Sequence, residues 1–148
     1  NWKFIESTKQ KISPEGAELS RRVYSGDFLL SNSMSFGRPY ITNIDGCVHD
    51  GWLVIRDINS TFDKSFLYHL LSSSSIQSQF KNLATGSTVK NLNSNLVSSV
   101  IVPTPPIEVQ RQIAQRIDKE RELVELAMSL SETYEARTQA VIAKLWSE

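Results

Sequence analysis

The sequence offers little to catalysis or to disulfide chemistry. A single cysteine, Cys47, excludes an internal disulfide and fits a reducing cytoplasm. A free cysteine of this kind is expected to be a small buried apolar residue. The only two histidines, His49 and His69, have no Cys or His partner at metal-ligand spacing, so no metal centre is expected. His49 and Asp50 are neighbours in sequence, which is not how a Ser-His-Asp triad is assembled. The segment TGSTVK lacks the GxxxxGK[ST] pattern of a phosphate loop. Paired carboxylates and a dinucleotide fingerprint are also missing, and the chain is read as non-catalytic. No apolar run approaches the ~18 residues of a membrane span, and no signal peptide is visible. Net charge is zero, with 16 basic and 16 acidic residues, so charge alone argues for no nucleic-acid partner. The first residue is Asn rather than Met, and the chain is read as a piece of a longer protein.

What is present divides the chain in two. Apolar residues make up 40% of it, enough for a core. All eight asparagines and 18 of the 21 serines precede residue 104; Glu, Arg, Ala, Leu and Gln dominate after it. IVPTPP (101–106) sits on the boundary. Its prolines cannot continue a central strand, but Pro is favoured in the first turn of a helix. The expected organisation is a globular region over 1–103 and a long helix over 104–148, an α+β fold followed by a single long α-helix.

The helix reading rests on composition and period. Neither Gly nor Pro occurs from Ile107 to Glu148, and helix formers dominate. Ile113, Ile117, Val124, Ala127, Tyr134, Val141 and Leu145 recur at gaps of three, four or their sums, with Leu123, Leu126 and Leu130 widening the stripe. Forty residues make a rod of roughly 60 Å, longer than a head of about 100 residues can cover. A second helix is therefore expected on the stripe, including Leu130, in the same molecule or another. Glu120, Ser131 and Thr138 interrupt the seam, which favours antiparallel or irregular pairing over a parallel zipper.

Within the first 103 residues the expected elements alternate. ISPEGAEL (12–19) reads as a short helix with Ser13 as N-cap and Pro14 in its first turn. GDFLLS and RPYITN (38–43) read as strands, as does GWLVIRDI (51–58). FDKSFLYHLLSS (62–73) is helical, with Phe62, Phe66, Leu67, Leu70 and Leu71 on one face; His69 within it is expected to pack rather than act. IQSQFKNLA (76–84) is a second helix. LVSSVIVP (96–103) reads as a buried strand, NIDGCVHDG (43–51) as a turn, and TGSTVKNLNSN (85–95) as a polar loop.

The polar, Gly-containing segments are the candidate contact surface. SNSMSFGR (31–38) follows an apolar strand with residues that bury little but carry hydrogen bonds, a bendable backbone and a charge. If Met34 and Phe36 pack inward, the alternation of an extended chain leaves Ser31, Ser33 and Ser35 facing out. Gly37 is a position where a turn would need positive φ. Asn can pair with adenine and Arg with guanine, while Ser, Thr and Lys contact phosphates. On residue type and loop position, Ser31, Asn32, Ser33, Arg38 and Tyr40 form one candidate DNA-facing segment. Thr85, Ser87, Thr88, Lys90 and Asn91 form another. Lys9, Lys11, Arg21, Arg22 and Lys81 are candidate phosphate contacts.

In this order, GDFLLSNSMSFGRPYI, HDGW, FLYHLLSS, GSTVKNLN and VPTPPIEVQRQIAQRID resemble the specificity subunit of type I restriction–modification enzymes. The family pattern at the boundary is P-x-P-P, an aliphatic residue, Glu, any residue and Gln; here it is PTPPIEVQ, with Val109 where a second Glu is usual. The resemblance implies a target recognition domain, incomplete at its N-terminus, joined to one spacer helix that pairs antiparallel with another. It implies double-stranded DNA as ligand and modification (methyltransferase) and restriction subunits as partners. S-adenosylmethionine, ATP and Mg would belong to those partners, with no cofactor in this chain. A lone recognition unit with an uncovered helix is expected to self-associate. The alternative from the residues is a protein-interaction module with a coiled-coil arm and no DNA role.

Overall fold

The structure, a computed structural model, describes residues 3–32, 37–57, 59–85 and 91–146. Eleven elements follow one another among them: β1 (Phe4–Ile5), α1 (Pro14–Glu18), β2 (Arg21–Val23), β3 (Phe28–Ser31), β4 (Pro39–Thr42), β5 (Gly46–Val48), β6 (Trp52–Ile55), α2 (Lys64–Ser72), α3 (Ser74–Thr85), α4 (Ser94–Ser98) and α5 (Ile107–Lys144). The fold is α+β with a long C-terminal helix.

The main sheet has the order β1-β4-β3-β6. Its first pair is parallel and the other two are antiparallel. Register assigns each residue to a face. Phe28 and Leu30 pair with Ile41 and Pro39 on one side, and with Ile55 and Leu53 on the other. Phe28, Leu30 and Ile41 belong to the core with Leu67, Leu71, Ile76 and Phe80, and Phe4, Leu53 and Ile55 pack against it. That face carries the helices. Leu29, Tyr40, Trp52 and Val54 point to the opposite face by the period of two. A two-stranded ribbon, β2 with β5, is tied to the end of the sheet: Arg21 Nη1 donates to Trp52 O at 3.0 Å and Arg56 Nη2 to Arg22 O at 2.9 Å. Asp27 anchors Arg56 through both carboxylate oxygens. Burial raises the Asp27 carboxyl pKa, but bonds from Arg56 and the Tyr24 amide, with the Arg56 charge, bring it below its ordinary value.

Local chemistry sets the helix starts. Ser13 accepts from Gly16 N, Asp63 from Phe66 N and Asn93 from Leu96 N, each side chain satisfying an amide left without an intrahelical partner. Helix α2 carries more buried residues than one face should: Tyr68 and His69 are buried along with Phe66, Leu67 and Leu71. It lies between the sheet and the start of α5, so both of its sides are covered.

Three sequence expectations fail here. The segment 96–103 is not a strand. Asn93 starts α4, Ser99 ends it, and the chain runs on without regular structure to Pro106. Val97, Val100 and Val102 pack on the core while Ile101 is 84% exposed. The prolines beyond it cannot donate to a ladder, so the apolar run serves as packing without a sheet. The expected turn 43–51 contains a strand, β5, in register with β2. Both strands are three residues long, too short to display a period. Cys47, on β5, is half-buried rather than buried, with Sγ 3.9 Å from Ala17 O.

The base of α5 is fixed to the head by one column of residues, Gln110, Ala114 and Asp118, four apart and therefore on one face. Gln110 is 1% exposed. It accepts from Asp63 N at 2.8 Å and donates to Thr61 O and Pro105 O. Ala114 is buried. Asp118 accepts from Ser65 Oγ and contacts His69 Nε2, both at 2.7 Å, with Lys3 Nζ 3.6 Å away. Burial lowers the His69 pKa despite the opposing hydrogen bond to Asp118. At neutral pH the imidazole is therefore neutral and donates to the carboxylate. For Asp118, burial raises the pKa, while the Ser65 and His69 bonds and the Lys3 charge outweigh it and hold the carboxyl below its ordinary value.

Candidate nucleic-acid interface

The SNSMSFGR segment lies between two paired strands, and its ends are now defined. Ser31 N donates to Arg38 O at 3.1 Å, Gly37 N to Ser31 O at 2.8 Å, and Arg38 N to Ser31 Oγ at 3.0 Å. Ser31 is buried. Its expected outward, DNA-facing position is therefore corrected: the hydroxyl accepts from the backbone where β3 passes into β4. Gly37 has φ +72°, and a Cβ there would sit 2.2 Å from Phe80 Cδ2. Both the turn and the close approach of the Phe80 ring require glycine. Gln77 Nε2 donates to Gly37 O at 2.8 Å, which ties this turn to α3.

Arg38 and Tyr40 are placed differently. Arg38 is exposed, with its guanidinium 5.8 Å from the Tyr40 ring centroid. Tyr40 meets Trp52 edge-on, centroids 5.5 Å apart. His49 lies 6.5 Å from Trp52. Arg21 Nη1 is bonded to the Trp52 carbonyl. One carbonyl engages only one of the five N–H donors on Arg21. His49 Nδ1 accepts from Gly51 N at 2.9 Å, so in the neutral ring Nε2 carries the proton. The result is a row of two exposed guanidiniums, two half-buried aromatic rings and an exposed imidazole. It is built from β2, β4 and the β5–β6 turn, and its chemistry suits phosphates and base edges.

The two candidate segments meet. Asn32 Nδ2 donates to Asp50 O, Asn32 N to Gly51 O at 3.1 Å, and Leu92 N to Asn32 O at 2.9 Å. Asn32 thus links the β3–β4 loop, the β5–β6 turn and the stretch beginning at half-buried Asn91. Thr85 and Arg38 line one open groove of about 750 Å³. Ser33, Ser87, Thr88 and Lys90 lie outside the described residues. Arg22 is exposed on β2 beside Arg21. Lys9 and Lys11 are exposed on the irregular segment before α1, and no described contact joins them to the row. Sequence reasoning missed Trp52, taken only as part of an apolar strand, and His49, weighed only as a metal ligand or a triad member. The strand period of two could have separated Trp52 and Val54 from the core face.

Of the expected helix-pairing residues, Ile117 is half-buried. Ile113, Val124, Ala127, Leu130, Tyr134 and Val141 are exposed, as is Leu145, which caps α5. The column that grips the head is a separate stripe that the apolar pattern did not reveal, because two of its three members are polar. Among the described residues, no group of three or more His, Cys, Asp or Glu side chains could hold a metal ion. No described helix is long and apolar enough to cross a membrane.

The chain is 25% identical over 122 residues to the type I restriction enzyme EcoDI specificity subunit of Escherichia coli, covering 80% of this chain and 27% of that one. In structure it is similar to the HsdS subunit from Thermoanaerobacter tengcongensis, with a TM-score of 0.57 and 21% identity over 70% of this chain and 24% of that chain. It is also similar to a chain from a structure of complex assembly and conformational transition in the type I R-M system. There the TM-score is 0.61, at 22% identity over 76% of this chain and 27% of that chain. It thus spans about a quarter of the length of these relatives, and the two structural likenesses show the fold. A family model, the type I restriction modification DNA specificity domain, matches residues 4–132. By that match the chain belongs to the family of type I restriction modification DNA specificity domains.

Proposed function

We propose that this chain recognises a short double-stranded DNA sequence as part of the specificity subunit of a type I restriction–modification system. Residues 1–103 act as the target recognition domain and 104–148 as a spacer and dimerisation helix. The observation that carries the reading is the Arg21–Trp52–Tyr40–Arg38 row, two exposed guanidiniums flanking two half-buried rings, on a domain whose family is that of DNA specificity. Phosphate contacts supply affinity and base-edge contacts supply selection. The chain contributes no catalytic group. Methyltransferase and restriction subunits, with S-adenosylmethionine, ATP and Mg, perform the chemistry at the site it selects. The uncovered stripe of α5 pairs antiparallel with a second helix of the same kind, which sets the distance between two half-sites.

Selection of bound duplexes from a randomised pool tests the reading. Enrichment of a motif of about 3–5 base pairs is expected, at the scale of one recognition module. Arg38→Ala is expected to weaken binding to that motif while leaving the thermal transition in place. Binding without enrichment at low salt would leave a protein-interaction module as the better description.

A further inference from the structure

Helix α5 contributes a charge to the head that the spacer role does not use. Its head-facing column continues past Gln110, Ala114 and Asp118 to Arg121, three residues on and still on the same face. Arg121 lines the groove of about 750 Å³ together with Arg38 at the start of β4 and Lys81 of α3. Buried Tyr68 also borders it, and Ser74, Ser78 and Thr85 add hydroxyls. No Asp or Glu is among the lining residues. Asp118, one turn before Arg121, is held by Ser65, His69 and Lys3. The concentration of positive charge does not come from composition. The whole chain is neutral, and residues 105–148 carry six basic against eight acidic residues. Three cations from three elements, with hydroxyls between them and no carboxylate, make a receptor for a polyanionic strand.

We infer that this groove holds phosphates of a DNA strand beside the target, with Arg121 supplying one contact from the helix. The inference rests on the DNA-recognition reading above and adds where the backbone runs. It has a mechanical consequence. A duplex gripped by Arg38 and Lys81 of the head and by Arg121 of the spacer is fixed relative to both. The direction of α5 is then set against the DNA axis as well as against the head, which places the second half-site in register.

The test uses the full chain, the duplex enriched from the randomised pool, and a scrambled duplex of the same composition. Binding is followed by anisotropy over a salt series for wild type, Arg121→Ala, Lys81→Ala and Arg121→Lys. Arg121→Ala is expected to lower affinity for both duplexes by roughly fivefold to tenfold, as for one lost charge-assisted contact at a solvated site. It is also expected to reduce the slope of log K against log salt by about one. Lys81→Ala behaves alike, Arg121→Lys restores most of the slope, and the melting transition of Arg121→Ala matches wild type. A merely structural role for Arg121 would move the melt and not the slope. If wild type selects a motif but Arg121→Ala binds with unchanged affinity and slope, the groove is not a phosphate site and the recognition reading survives. A changed ratio between enriched and scrambled duplexes would also overturn the assignment, since it would make Arg121 a base reader. If wild type binds no duplex, both readings fall together.

Discussion

The first turns of α5 and its remaining turns belong to one uninterrupted helix with one composition, yet they have opposite surroundings. From Ile107 to Asp118 a column of residues is drawn into the head: Gln110 and Ala114 are buried and Asp118 meets three side chains of the head. From Glu122 to Trp146 every residue is exposed, including Leu123, Val124, Leu126, Leu130, Tyr134 and Val141. The base uses few apolar atoms and many hydrogen bonds. The distal part displays apolar side chains that nothing described covers, each of which would contribute about 1.5–3 kcal/mol if buried. Hydrophobicity along the helix therefore does not report where the helix packs on its own head. The head takes the polar column, and the distal apolar stripe stays exposed.

This contrast can be tested from its strongest contact outward. Gln110→Ala removes an acceptor from Asp63 N and a donor from two carbonyls in a buried place. It should destabilise the fold by about 3 kcal/mol, read from the urea midpoint of the full chain. A loss below about 0.5 kcal/mol would mean that the base is held by apolar packing alone. Ala114→Leu inserts three carbons where α5 meets α2, with an expected cost of about 2 kcal/mol; the same change at exposed Ala127 should be close to neutral. The comparison is lost if the two cost the same.

Acid should loosen the base in preference to the distal helix. The folded His69 pKa is lowered, so its contribution is complete above the unfolded value of about 6.5 and declines as pH falls below it. The folded Asp118 pKa is also lowered, so its contribution is present above about 3.9 and is lost as pH falls through the folded value. Both effects have the same sign. Stability should fall on acidification in two stages, and His69→Gln should abolish the upper one. An upper stage that persists in that variant would assign it to another group. The smallest effect on folding is expected at the far end of the comparison. Val124→Asp should change the unfolding free energy by less than about 0.5 kcal/mol, yet abolish self-association in sedimentation, because an unpaired charge on an apolar seam is costly. An unchanged oligomer would move the seam to another stripe.

Much of this architecture is legible in the sequence because it is local. Ser13 with Pro14, Asp63 before α2 and the Gly- and Pro-free run after Pro106 are signals read within a few residues. The β3–β4 pair announces itself through GDFLL and PYIT. What the sequence concealed is short or non-local. Strands β2 and β5 exist because three residues find three others 23 to 27 positions away. The run 96–103 has strand composition but ends in prolines beside a capped helix. Ser31 was expected to face outward by parity, but it is buried, with its hydroxyl accepting from Arg38 N. Trp52 joined the candidate interface through strand register, and Arg121 through the docking of α5, neither of which a linear pattern contains.

The sequence by itself determined that a long helix forms, where it begins, and that it carries an apolar stripe, because backbone propensity and a period near 3.6 act over adjacent turns. It determined the positive-φ glycine at the β3–β4 turn for the same reason, a local conformational need. Only the tertiary structure decided which face of that helix meets the head and which cations share a groove. Those outcomes depend on satisfying buried polar groups across tens of residues, and that satisfaction is settled when separate elements come into contact.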